Sequence, residues 1–479
     1  MKKAVIYTLI SMLCYSCSNQ PQLKDKEIEL AERILQDTLM MEVEKMALAV
    51  VQGGFNAGDG YGEVWIRDYN TFIELAMEVM PDREIQENLL TFFHFQGETG
   101  DIVDGFIPVE KAATGYNYRY SHSEPRYAAH KNTVETDQES SLIQAVWRYI
   151  SKSGNREFLN REIEGKTVLE RMEMALHFLL NERYDQQYGL LWGATTADWG
   201  DVQPEHPWGV ELDENSHLCI DIYDNAFFII AINCYLDLQD NHQKQAFWRE
   251  VRDQFSERVR NYLWDEEREK FIPHLYLNGS PFPETFNEEE IYYHGGTAMA
   301  IEAGLLTREE VEVSNKAMMR NVDESGAPSI GLTLYPPYPE GFFQNKGMYP
   351  YGYQNGGDWT WFGGRMIRQL IRYGFVEEAY EEIQPMLERV VRNNGFYEWY
   401  ALDGTPSGSG SFRGEAGVPF KAIEDFRRWG GGGVEPHRQE EVPSTGKRGL
   451  FPKPSERLKG RAPPDLRYRG SATGGGGNI

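Results

Sequence analysis

Apolar residues recur along this chain at three- and four-residue intervals, and strict alternation of apolar and polar positions is rare. Over 136–152, Leu142, Val146, Tyr149 and Ile150 fall on one stripe, as in a helix that presents one face to a core. The same period predicts helices over 25–52, 68–80, 84–97, 136–152, 166–183, 217–239, 243–264, 292–304, 307–319, 356–373 and 375–394, with one more after Gly414. Paired in order, these make six helical hairpins. Closed into a ring they give an all-α fold, the (α/α)6 toroid, with its loops gathered into a funnel at one end. An open solenoid would also pair its helices, but solenoids repeat their sequence at a fixed period and this chain shows no such repeat.

The segments between the helices change this picture from scaffold to site. Residues 53–68, 98–135, 184–216, 265–291, 320–357 and 395–417 are rich in Gly, Pro, Trp, Tyr, Asp and His. Loops of that length are either functional or disordered, and their aromatic content argues against disorder. From Phe426 onward the composition shifts again, with Gly430–Gly433, Gly474–Gly477, many prolines and an excess of basic over acidic residues. This predicts a helical domain over 21–425 and a disordered tail over 426–479. The break falls inside the helix expected after Gly414. One explanation is a shifted reading frame, which a helical continuation in another frame of the nucleotide sequence would support and its absence would refute.

The first twenty residues read as an export signal. Lys2 and Lys3 precede a short apolar run, Ala4 to Leu13, too short to span a bilayer. In Cys14-Tyr15-Ser16-Cys17-Ser18-Asn19 a small residue precedes a cysteine, which resembles a bacterial lipoprotein cleavage site with Cys17 as the lipidated residue. Cys14 stands where an aliphatic residue is usual, and an ordinary signal peptide is the alternative. The expected location is the periplasm or outer membrane of a Gram-negative bacterium, with membrane contact through a lipid anchor alone. Cys219 and Cys234 lie in apolar, helix-like segments and match no zinc or redox spacing. They are expected as buried thiols, with a disulfide as the alternative in an oxidising compartment.

The formal charge of −26 argues against nucleic acid, which needs a basic footprint. It also argues against polyanionic substrates, unless a local basic pocket overrides it. Aromatics make up 13% of the chain, and the 11 Trp and 27 Tyr exceed ordinary core needs. Such rings stack on the apolar faces of sugars and raise the pKa of a neighbouring carboxyl, as a general acid requires. Two stretches combine them with acids. Ala197-Asp198-Trp199-Gly200-Asp201 offers two aspartates, which would share a face if this were a helical turn. Gly395-Phe396-Tyr397-Glu398-Trp399-Tyr400 sets Glu398 between rings as the best general-base candidate. Elsewhere, Trp65 offers a platform beside Arg67 and Asp68 at a helix start. Thr136 and Glu139 have capping-box spacing next to Asp137. Gln354 and Asn355 precede Gly356-Gly357-Asp358-Trp359-Thr360-Trp361, a turn that either approaches a ligand or is simply packed by its tryptophans.

Together these segments resemble the six-hairpin glycosidases, and in particular the alkaline/neutral invertases and the amylo-α-1,6-glucosidase domain of glycogen debranching enzymes. Val64-Trp65-Ile66-Arg67-Asp68 is similar to their Arg-Asp motif, Thr133 to Trp147 to their Asp-containing helix start, and Trp199-Gly200-Asp201 to their Trp-x-Asp motif. Asn355-Gly356-Gly357-Asp358-Trp359 is similar to their Asn-Gly-Gly-x-Trp turn, and Tyr397-Glu398-Trp399-Tyr400 to the motif that carries the general base. All five stand in the family's order over about residues 30–425. The resemblance implies an inverting hydrolase of an α-glucoside or related oligosaccharide. Asp201 would be the acid, with Asp198 as the alternative, and Glu398 the base that activates a water. It implies substrate contacts from Trp65, Arg67, Asp68, Asp137, Trp199, Gln354, Asn355, Trp359, Tyr397 and Trp399. The segment around Asp198 and Asp201 departs from both families, which leaves the choice of acid open.

No metal-ligand spacing, EF-hand loop, phosphate loop or dinucleotide fingerprint is present, so neither metal nor cofactor is expected. Two other functions fit the same scaffold. A glycan-binding lipoprotein would keep the rings without the acid–base pair. A sugar epimerase or lyase would place His94, His130 or His294 at the centre.

Overall fold

The structure, a computed structural model, describes residues 25–112 and 117–432. The export signal with Cys17, and the tail beyond 432, lie outside the described residues. The described chain is mainly helical: α1 (Asp25–Leu35), α2 (Thr38–Val51), α3 (Ile66–Val79), α4 (Asp82–His94), α5 (Gln138–Ser153), α6 (Val168–Glu182), α7 (Ile222–Leu238), α8 (His242–Tyr262), α9 (His294–Glu302), α10 (Arg308–Ser325), α11 (Thr360–Arg372), α12 (Val376–Asn393) and α13 (Arg413–Gly430).

Apolar patterning sorts these helices into two layers. In α8 the buried residues Trp248, Val251, Phe255 and Val259 form one stripe, so one face meets the core and the rest meets solvent. In α7 almost every residue is buried, as a helix that is apolar on all sides must be. The buried layer is a cycle: α3 packs on α5, α5 on α7, α7 on α9, α9 on α11, α11 on α13, and α13 returns to α3. The outer helices lean on this cycle, α4 on α3 and α5, α6 on α5 and α7, α8 on α7, α10 on α9, and α12 on α11. Contacts of this kind are consistent with a helical toroid. One continuous hydrophobic core fills the space between the layers.

Several local expectations are corrected. The helix expected over 25–52 is two helices, because Asp37 caps α2 by accepting from the N–H groups of Leu39 and Met40. The start of the 217–239 segment is a strand, Leu218–Ile220, and Cys219 lies on it; Cys219 and Cys234 are both buried and free. The capping box at Thr136 and Glu139 does not form. Thr136 Oγ1 donates to the Trp192 carbonyl, and Glu139 accepts the Ile102 N–H and Lys131 Nζ. Distant partners displace the local pair, whereas Thr167–Glu170 and Thr307–Glu310 do form boxes. Finally, α13 continues to Gly430 with Phe426 fully buried, past the boundary expected at 425.

The loops carry short antiparallel ladders that the pattern of the sequence did not suggest. One four-stranded sheet runs β1 (Val64–Trp65), β2 (Gly105–Pro108), β4 (Tyr127–His130), β3 (Arg119–Tyr120) in spatial order. Another hairpin pairs Trp399–Tyr400 with Pro406–Ser407. A second apolar cluster, including Ala197, Phe282, Tyr293, Leu334 and Tyr338, fastens the loop of Ala197 to those after α8 and α10. These ladders and this cluster hold the loops over one end of the helices.

Candidate active site

At that end lies a cavity of about 240 Å³. Its walls come from parts of the chain that are far apart in sequence. The N-terminus of α3 and the loop before it give Tyr61, Trp65, Arg67 and Asp68; the sheet region gives Asp104, His130 and Glu135. The turn after Thr196 gives Trp199 and Asp201, and the loop into α11 gives Tyr353, Gln354, Trp359 and Trp361. Glu398 and Phe412 close the ring of side chains, and Val210 adds an aliphatic patch.

Asp201 and Glu398 therefore share one ring-lined cavity. The approach of each depends on a glycine. Residues 197–200 form a tight turn closed by Gly200 N–H to the Ala197 carbonyl, and Asp198 within it has φ 59°. This left-handed residue removes the helical register that would have put Asp198 and Asp201 on one face. Gln354 Nε2 donates to Asp201 Oδ1 at 2.7 Å, and a Cβ at Gly200 would collide with Gln354 Oε1. Glu398 opens the hairpin strand at Trp399 and accepts the Tyr61 hydroxyl at 2.8 Å and the Ser409 N–H at 3.4 Å. Gly408, at φ +72°, leaves room for it, since a Cβ there would collide with Glu398 Oε2.

Burial pushes the Glu398 carboxyl above its ordinary value; the Tyr61 and Ser409 donors oppose this, and the negative charge of Asp201 adds to it. Asp68 is pushed well up, first by burial, with Arg67 opposing and Glu398 reinforcing. Asp104 is pushed up to about 7 by burial against the pull of Arg67. Arg67 keeps its charge despite burial because Asp137 accepts from its Nε at 2.7 Å and Glu135 pairs with its Nη2. Burial lowers His130 to about 4.

The rings form the apolar wall. Trp199 meets Trp359 edge-on with centroids 4.7 Å apart, and Trp361 at 5.7 Å. The indole N–H groups of Trp199 and Trp361 are buried without a hydrogen-bond partner, as are Asp68 Oδ1, Glu135 Oε1 and Gln354 Oε1.

Of the residues singled out in the sequence, Asp201, Glu398, Trp65, Arg67, Asp68, Trp199, Gln354 and Trp359 line the cavity. Asp198 does not: its carboxylate turns inward and accepts the Gly296 N–H at 2.9 and 3.1 Å. Asp137 sits behind the wall, holding Arg67 and accepting the Tyr223 hydroxyl at 3.2 Å. Asn355 is fully buried and ties Tyr338 to Met348, so for it the packed-turn reading applies. Tyr397 and Trp399 lie outside the lining, the first against Tyr400 and the second against Tyr353. Sequence reasoning missed Tyr61, Asp104, Phe412 and Val210. Glu135, Tyr353 and Trp361 stood in or beside quoted motifs without a role. Replacing Asp198 by Ala should leave the Gly296 N–H without an acceptor and cost about 1–3 kcal/mol of stability in urea unfolding, with activity per folded molecule retained. Loss of activity without loss of stability would return Asp198 to the chemistry.

No protein-family profile and no curated protein sequence matches the chain. Solved structures do. An uncharacterized conserved protein from Thermus thermophilus shares 16% identity at a TM-score of 0.58, over 79% of this chain and 98% of its own. The GH63 mannosylglycerate hydrolase of the same organism shares 15% identity at a TM-score of 0.58, over 79% of this chain and 99% of its own. A rhamnosidase from Klebsiella oxytoca with rhamnose bound shares 12% identity at a TM-score of 0.53, over 81% of this chain and 64% of its own. The fold is shared. At such identity the likeness establishes architecture and nothing finer. Among the described residues no group of His, Cys, Asp and Glu is arranged to hold a metal, and no helix is long and apolar enough to cross a membrane.

Proposed function

We propose that this chain is an inverting glycoside hydrolase on an (α/α)6 toroid, with Asp201 as general acid and Glu398 as general base. The observation that carries the reading is the meeting of these two carboxylates in one aromatic cavity, with a tyrosine hydroxyl on Glu398. In this scheme Asp201 gives its proton to the glycosidic oxygen while Glu398 takes one from a water on the opposite ring face. Gln354 orients Asp201, and Tyr61 orients Glu398. Trp65, Trp199 and Trp359 stack on the sugar, and Arg67 and Asp68 bind its hydroxyls. The cavity is smaller than the roughly 300–1,000 Å³ of sites for drug-sized ligands, which favours a single sugar unit entering it. The neighbours' names support a glycosidase; the resemblance to invertases and debranching domains guides the choice of substrate towards α-glucosides. Export as a lipoprotein through Cys17 belongs to the same proposal.

A panel of α-linked disaccharides, followed by anomeric analysis of the fresh product by NMR, tests it. Inverted product is expected; a retained anomer would refute the mechanism, and binding without turnover would favour a glycan-binding protein. His130 on the cavity wall favours the epimerase or lyase alternative, and an epimerised or unsaturated product would establish it. An imidazole lowered to about 4 is a weak base for proton abstraction, which is why hydrolysis is preferred.

A base works only when ionised, so activity should fall as pH drops through the Glu398 value, which burial raises from that of an ordinary glutamate. Tyr61→Phe removes a donor that favours the ionised form, so the acid limb of the pH–rate profile should move to higher pH. An unmoved limb would separate Tyr61 from the base.

A further inference from the structure

We infer that the cavity takes an uncharged sugar unit and turns away one that carries a carboxylate or phosphate, and that Asp104 is a specificity-determining residue in this choice. The inference rests on the glycosidase reading and narrows its substrate class. Five carboxylate side chains line the cavity, those of Asp68, Asp104, Glu135, Asp201 and Glu398. Against them stands one guanidinium among the lining residues, that of Arg67, already engaged by Asp137 and Glu135. The imidazole of His130, lowered to about 4, is uncharged at neutral pH. An entering anion would meet a wall whose ionisable groups are mostly carboxyls and find no uncommitted cation among the described lining residues. The local basic pocket that could have overridden the acidic net charge is not formed by these residues.

The mannosylglycerate hydrolase from Thermus thermophilus has been captured with D-glycerate, an acid; the wall described here offers such a group no uncommitted cation.

Asp104 is fixed from both sides of its backbone. Its N–H donates to the His130 carbonyl and its carbonyl accepts the Ile66 N–H, each at 2.8 Å. That clamp joins β2 and β4 to the start of α3 and sets the Asp104 backbone at the cavity wall, where Arg67 acts on its carboxyl. Specificity of this sort arises as much from an unanswered charge facing the wrong ligand as from contacts with the right one.

The test uses the full chain and three matched pairs: glucose with glucuronate, mannose with mannuronate, galactose with galacturonate. Binding is read by saturation-transfer NMR and by thermal shift. At least one neutral sugar should bind, its uronate should bind about tenfold more weakly or worse, and Asp104→Asn should narrow that gap. A uronate that binds as well as its neutral partner overturns this inference and leaves the glycosidase reading standing. Failure of both members of every pair to bind overturns the glycosidase reading, and this inference with it. A gap unchanged in a folded Asp104→Asn protein removes Asp104 from the selection.

Discussion

Glu398→Gln and Asp201→Asn should each lower kcat by about 100- to 10,000-fold, the usual contribution of a general base or acid, with the fold intact. Both changes are nearly isosteric. At position 398 the new amide carbonyl can still accept the Tyr61 hydroxyl, and at position 201 it can still accept the Gln354 amide, so thermal unfolding should move little. The two losses should differ in kind. The base variant loses hydrolysis of every substrate. The acid variant should recover part of its rate on a glycoside whose leaving group needs no proton, such as a fluoride. Full activity in either variant would refute the assignment, and equal losses on both substrate types would refute the division of roles.

The largest loss of stability should come from the ion pair behind the cavity. Arg389 on α12 meets Asp358 at 2.6 Å, and both side chains are buried. Its other Nη donates to Thr360 Oγ1 at 2.8 Å, at the first residue of α11, and its guanidinium lies 4.0 Å from the centre of the Tyr400 ring. One side chain thus joins α12, the entry to α11 and the strand after Glu398. Arg389→Met strands a carboxylate in the core and should cost about 3–5 kcal/mol, read as a lowered urea midpoint. The double variant Asp358→Leu with Arg389→Met should recover much of that loss, because the stranded charge is gone. A single variant within about 1 kcal/mol of the parent would show that the pair does not brace the site.

Helical periodicity made nearly all of the helical architecture legible, because in each helix one stripe or the whole surface has to be buried. The ladders were not legible: strands of two residues have no period, and their pairing is set by loops that are distant in sequence. The same limit appears in the site. Asp201 and Glu398 could be read from their ring-rich surroundings. Tyr61 and Asp104 could not, since their roles depend on where β1 and β2 lay them. Asp198 misled because a helical turn and a left-handed tight turn put the same residue on opposite sides. Asn355 and Asp137 have the chemistry of ligand contacts but act one layer behind the wall, where only coordinates distinguish them.

The cycle of inner helices is completed by α13 returning to α3, and the cavity takes wall residues from Tyr61 through Phe412. A nascent chain leaving the ribosome would hold Trp65 and Arg67 early but have no assembled hollow until its last helix emerged. Folding to the working form then waits on α13, the helix that closes the cycle.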